Sequence, residues 1–321
     1  MNANQCRSEE EGTPSRRRFL QGAAAGAAGL AGLAGLAGLA SRAGGQPSDV
    51  AAKHAGKPNF RDVGWVWEGQ GIDPQVPPSI YGLGQGARYF GLSRVNFLFH
   101  PNDVHALRLL QDYDEVTCDI TKWGWEWSAD GRPKCKAKSD PATMQSEGEN
   151  VARLAKQFRN VTGAYCDDLL GLMKKFKYGP KEFGKVRSAI RNVNPKLKLW
   201  SVVYTHEFAQ ADFWTEMRPH IDVITLWIWN SDHLGRMPEY VDQCRRLFSD
   251  KPIVMGVYLR DYTKVAPIPV DRVRSQMEGI ADLVGKGKLA GYSILGAVLI
   301  DGHRPQADAV RDFIAAQSGK A

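Results

Sequence analysis

The chain has 321 residues, of which 43% are hydrophobic, enough to bury a sizeable core in one large domain or two ordinary ones. That excludes a disordered or fibrous protein. Of 42 basic and 35 acidic residues, five Arg and three Glu lie in residues 1–43, so the remainder carries a surplus of only five positive charges. Its Lys-rich stretches "KCKAKSD" and "MKKFKYGPK" are short and read as solvated surface, so no nucleic-acid partner is expected.

The first element is "SRRRFLQG", Ser15 to Gly22, followed by an Ala/Gly/Leu run ending in the small-residue site Ser41-Arg42-Ala43. This segment resembles a twin-arginine export signal, with Arg16 and Arg17 as the pair, Phe19 and Leu20 at the expected offsets, and Gln21 where Lys is frequent. A membrane anchor needs about 20 strongly apolar residues, and a run this rich in Gly and Ala falls short, which favours cleavage over a stable anchor. The resemblance implies a signal peptide over 1–43, the twin-arginine export machinery as a partner, and a periplasmic or secreted destination. It also implies folding before export. Residues 44–59 then read as a linker.

From residue 60 the chain repeats one unit, an apolar run followed by polar residues and a helix-like stretch. The runs are "DVGWVWEG" from 62, "VNFLFH" from 95, "EVTCDIT" from 115, "VTGAYCDD" from 161, "KLWSVVYTHE" from 198, "DVITLWIWN" from 222, "PIVMGVYLRD" from 252 and "GYSILGAVLID" from 291. Helical periodicity separates them in "DVHALRLLQDY", "GENVARLAKQF", "GPKEFGKVRSAIRNV", "DFWTEMRPH", "MPEYVDQCRRLF" and "VDRVRSQMEGIADLVGKG", and "RPQADAVRDFIAAQ" follows the last run. "GLGQGARYFG" and "TKWGWEWSADG" read as loops. Continuous apolar strands alternating with amphipathic helices predict an α/β fold with a parallel sheet covered by helices. Eight units over residues 60–321 predict a single (β/α)8 TIM barrel. A doubly wound sheet would want a Gly-rich phosphate turn opening a helix after the first strand, and "WEGQGIDPQVPP" is not one.

Four cysteines follow the signal, at 118, 135, 166 and 244, with no zinc-binding spacing. Cys118 and Cys135 are the nearest pair for a disulfide, while buried free thiols fit the apolar surroundings of Cys118 and Cys166.

In a barrel the functional groups lie where the strands end. Those ends supply Trp67 and Glu68; His100; Asp119 and Lys122; Asp167 and Asp168; Tyr204, His206 and Glu207; Trp229, Asn230 and Asp232; and Arg260. Successive strand residues face opposite ways, so Asp167 and Asp168 cannot both face the axis. Asp168, farther along the strand, is the favoured one. Trp67, Trp125 and Trp229 suit stacking on sugar rings, and the carboxylates, Asn and His suit hydroxyl groups. Arg260 and Lys122 would orient carboxylates or hold an anionic sugar group.

Aromatic strand ends with a carboxylate closing the fourth strand resemble the barrel glycoside hydrolases. Among these the α-galactosidase-like arrangement fits best, and it implies Asp168 as nucleophile and Asp232 as acid/base. Glu207, beside His206, is the rival for the acid. The expected reaction cleaves glycosidic bonds with a carboxylate pair on a carbohydrate substrate, with no cofactor and no metal. Two alternatives stay open. One is a metal-dependent isomerase or hydrolase using groups such as His100, Asp119, Asp168, His206 and Glu207. The other is an exported sugar-binding barrel without chemistry.

Overall fold

The computed structural model describes residues 59–69, 78–127, 129, 133–249 and 251–318, and of residues 122–127 and 133–137 the backbone only. The export signal and almost all of the linker lie outside the described residues. Eight strands form a closed, wholly parallel barrel: β1 Gly64–Trp67, β2 Arg94–Phe97, β3 Glu115–Asp119, β4 Val161–Cys166, β5 Lys198–Tyr204, β6 Val223–Trp227, β7 Ile253–Tyr258 and β8 Gly291–Leu295. Each pairs with the next in chain order, and β8 returns to β1 with Gly64 opposite Tyr292 and Trp67 opposite Leu295. Each of the eight apolar runs overlaps a barrel strand. The fold is the expected single (β/α)8 barrel.

Two segments read as loops are ordered elements. "TKWGWEWSADG" contributes Lys122–Trp127 to an antiparallel hairpin with Pro133–Lys138. Its Trp residues alternate with period two and a Gly-containing polar segment follows in the sequence, which is the pattern of a hairpin. "GLGQGARYFG" forms the helix Leu83–Phe90, which buries Leu83, Gly86, Ala87 and Phe90 on one face. Gly86 is there for close packing, because a Cβ at that position would lie 2.3 Å from the Cβ of Ala297. Gly91, at φ 68°, ends the helix in the left-handed conformation that glycine adopts without steric cost.

The barrel interior is filled by large aromatic rings rather than aliphatic layers. Trp65 meets Trp200 at 5.4 Å between centroids, and Trp67 meets Trp227 at 5.6 Å and Tyr165 at 5.8 Å. Room for them comes from Gly163 and Gly256, where an added Cβ would approach Trp200 Nε1 to 2.5 Å and Trp227 Cε3 to 2.0 Å. Polar side chains in the interior satisfy one another: Ser293 Oγ donates to Asn96 Oδ1 at 2.6 Å, and Asn96 Nδ2 donates to Thr117 Oγ1 at 2.7 Å. Cys166 and Cys244 are buried free thiols and Cys118 is buried, while the Cys135 side chain lies outside the described residues.

At the opposite end of the barrel, Arg187 on the helix Pro180–Val193 places both terminal guanidinium nitrogens on Asp222, just before β6. Burial acts to raise the Asp222 carboxyl, but hydrogen bonds from Arg187 and from Leu199 N, at 2.8 Å, hold it below the ordinary value. Arg187 is 4% exposed. Asp222→Ala would strand a buried cation, so it is expected to cost about 3 kcal/mol or more in urea unfolding at neutral pH. Acidification through the depressed carboxyl pKa should remove the same stabilisation from the wild type.

Candidate active site at the carboxyl ends of the strands

The two adjacent aspartates have different tasks. Asp167 continues the inward set of β4 after Tyr165 and is 5% exposed. Burial, then the Asp168 charge and that of Asp119, push its carboxyl well above the usual range. Asp168 leaves the strand in the left-handed conformation, φ 48° and ψ 34°, at the N-cap of the helix Leu169–Phe176. It makes no side-chain cap there. Instead its Oδ1 accepts the Tyr204 hydroxyl at 2.6 Å, which turns the carboxylate toward the end of β5. Strained backbone of this kind concentrates at functional sites.

Glu207 lies one 3-10 turn beyond β5, in Thr205–Ala209, and is 9% exposed. Its Oε2 accepts from Tyr204 N at 3.0 Å. Burial pushes the carboxyl up to about 8 and the Asp168 charge adds to this, against the opposing backbone hydrogen bond. Tyr204 therefore holds both carboxyl groups, Asp168 through its hydroxyl and Glu207 through its amide. His206 stacks on Tyr204 at 5.3 Å and is exposed, and burial of part of the ring lowers its imidazole.

Beside them stands an aromatic cluster. Trp229 packs on Tyr204 at 5.4 Å, Tyr258 at 6.1 Å and Tyr262 at 5.4 Å, the last pair stacked. Tyr262 was not among the expected substrate contacts. Tyr262 follows Arg260–Asp261, a short strand paired with Ala266–Pro267, beyond the end of β7. Asp261 anchors that excursion: it accepts from Ser231 N and Oγ, Thr263 N and Oγ1, and Lys264 N. Burial acts to raise its carboxyl, yet these hydrogen bonds bring it to about 2.

Several expected site residues have other roles. Trp67 is 3% exposed and stacks with Phe99, so it belongs to the barrel core rather than to an open cleft. Asp119 is fully buried and accepts from Thr121 N at 2.8 Å and Thr121 Oγ1 at 2.6 Å, which braces the chain after β3 instead of reaching substrate. Asn230 spends Oδ1 on Asp232 N at 2.9 Å, capping the 3-10 helix Ser231–Arg236. Glu68 and His100 pair at 2.7 Å on the β1 and β2 side of the rim. Arg260 is 4% exposed and its charge, after burial, lowers the His303 imidazole. The Lys122 and Trp125 side chains lie outside the described residues.

Asp232 sits in an ion-pair cluster. It is 47% exposed and forms ion pairs at 2.6 Å with both Lys264 and Arg272. The hydrogen bonds from Lys264 and Arg272 hold its carboxyl below the ordinary value, the opposite of what a proton donor needs. Asp232→Asn is expected to leave kcat/KM within about threefold of wild type, the scale of an exposed ion pair. A larger loss in a steady-state assay would return the residue to the chemistry.

Among the described residues no three His, Cys, Asp or Glu side chains form a group that could hold a metal ion, so His100, Asp119, Asp168, His206 and Glu207 are not gathered as ligands. No helix among them is long and apolar enough to cross a membrane.

No protein-family model and no characterised protein sequence matches the chain. Solved structures do. A GH2 β-galacturonidase from Eisenbergiella tayi, bound to galacturonate, superposes with a TM-score of 0.52 at 11% identity over 80% of this chain and 51% of that one. Active domain 2 of the Pyrococcus furiosus chitinase gives 0.50 at 11% identity over 81% and 98%. Bacteroides uniformis β-glucuronidase 2 gives 0.51 at 8% identity over 73% and 30%, so the chain spans about half of the first of these two larger enzymes and under a third of the second. At such identities the likeness lies in the backbone: the chain is folded as a (β/α)8 barrel of the kind these enzymes share.

Proposed function

We propose that the protein is an exported glycoside hydrolase whose acid is Glu207 and whose charge-stabilising carboxylate or nucleophile is Asp168. The observation that carries this reading is the Tyr204 bridge, which fixes the two groups from one residue, hydroxyl to Asp168 and amide to Glu207. Glycoside cleavage needs two carboxyl groups in unlike environments. Glu207 is protonated at neutral pH and would give its proton to the glycosidic oxygen as the bond to the anomeric carbon breaks. Asp168 faces the positive charge that develops at that carbon. Water then adds there, and the Glu207 carboxylate takes back a proton. The half-buried Trp229, backed by the buried Tyr258 and Tyr262, offers an apolar face for a sugar ring. Periplasmic or secreted localisation rests on the resemblance of residues 1–43 to a twin-arginine signal.

The test is a turnover screen of the full chain against oligosaccharides and aryl glycosides, with and without a chelator. Hydrolysis that survives chelation is expected. Loss of turnover on chelation would favour metal chemistry, and saturable sugar binding without turnover would make the protein a binding barrel.

A further inference from the structure

The face of the barrel opposite the candidate active site holds a groove of about 290 Å³. It lies where strands begin: Lys198 opens β5, Asp222 directly precedes β6, and Lys251 lies two residues before β7. Arg187 and Arg191 enter from the helix Pro180–Val193, and Lys196 from the turn before β5. Five cations from four segments therefore share one concavity with a single carboxylate.

That carboxylate is already committed. Asp222 receives both terminal nitrogens of the buried Arg187 and the Leu199 amide, while Arg191 comes no closer than 3.9 Å. Arg187 Nε is buried and has no hydrogen-bond partner. Among the described residues, no ion pair forms at Lys196, Lys198 or Lys251. Like charges gathered in a concavity repel, and the field they make attracts a counter-ion of opposite sign. A single Asp or Glu would have answered a structural need. Instead the groove combines guanidinium groups, which suit oxyanions in fork geometry, with ammonium groups that act as point charges.

We propose that this groove binds a tetrahedral, multiply charged oxyanion, either free or carried as an ester on a larger molecule. The site is independent of the glycosidase reading, since it shares no residue with the Asp168 and Glu207 centre. Isothermal titration of the full chain with inorganic phosphate, inorganic sulfate and a hexose phosphate, against chloride at matched ionic strength, tests it. Saturable one-to-one binding is expected. It should weaken about tenfold or more when Lys196, Lys198 and Lys251 are all changed to Gln, the loss of at least one charge-assisted hydrogen bond. Tighter binding of the hexose phosphate identifies an ester as the ligand, and equal binding identifies the free ion.

Among the described residues the three lysines make no ion pair, and a thermal melt checks that the variant is folded. A wild-type salt titration gives a second reading, with affinity falling steadily as chloride rises. Heats that do not saturate, that chloride reproduces at equal ionic strength, or that the triple substitution leaves unchanged would overturn the proposal.

Discussion

Asp168→Asn is expected to lower kcat by about 10³-fold or more while leaving the melting temperature close to wild type. Two features make this substitution selective. Asn tolerates the left-handed backbone at φ 48° as well as Asp does, and its amide oxygen still accepts the Tyr204 hydroxyl now held at 2.6 Å. What disappears, on the proposed mechanism, is the negative charge facing the reacting carbon. Sugar affinity should persist, because the half-buried Trp229 face is untouched. Asp167→Asn supplies the contrast: burial pushes that carboxyl well above the usual range and so disfavours its charged form, and an amide of similar shape should cost turnover far less. Comparable losses from both, or activity within tenfold of wild type in Asp168→Asn, would show that the β4 carboxylate is not the reactive one.

The barrel was legible because parallel strands covered on both sides must be apolar throughout, and each of the eight runs carries that signature. The rim was legible because a strand that ends must turn polar. What sequence did not reveal depends on conformation beyond the strand ends. The left-handed step at Asp168 frees its carboxylate from capping, and no residue pattern announces it. Asp232 looked equivalent to the strand-four carboxylates, but its partners Lys264 and Arg272 come 32 and 40 residues later. Trp67 resembled a cleft residue until Tyr165 and Trp227 closed over it from across the barrel. Tyr262 was missed because the hairpin that presents it has only two residues per strand. The Trp-rich hairpin, by contrast, showed its alternation in "WGWEW", and the loop reading gave too little weight to that period.

Glu207→Gln separates catalysis from architecture in one protein. The side chain keeps an oxygen for the Tyr204 amide, so the turn after β5 should survive. If Glu207 is the proton donor, kcat/KM at neutral pH falls about 10²- to 10⁴-fold, and the alkaline limb that the wild type shows near the Glu207 value of about 8 is lost. Stability moves in the other direction. The folded state holds a proton up to about pH 8 that the unfolded chain releases near the ordinary 4.5. Wild-type stability therefore decreases as pH rises through that window, by up to about 1.4 kcal/mol per unit. The amide has no proton to lose, so the variant should show a shallower decline, with a residual slope of the same sign from the buried Asp167. Denaturant melts across this range, read beside the rate profile, distinguish the two roles: a flattened stability curve with intact turnover would leave Glu207 as the cap of its own turn and return the search for the acid to the rest of the rim.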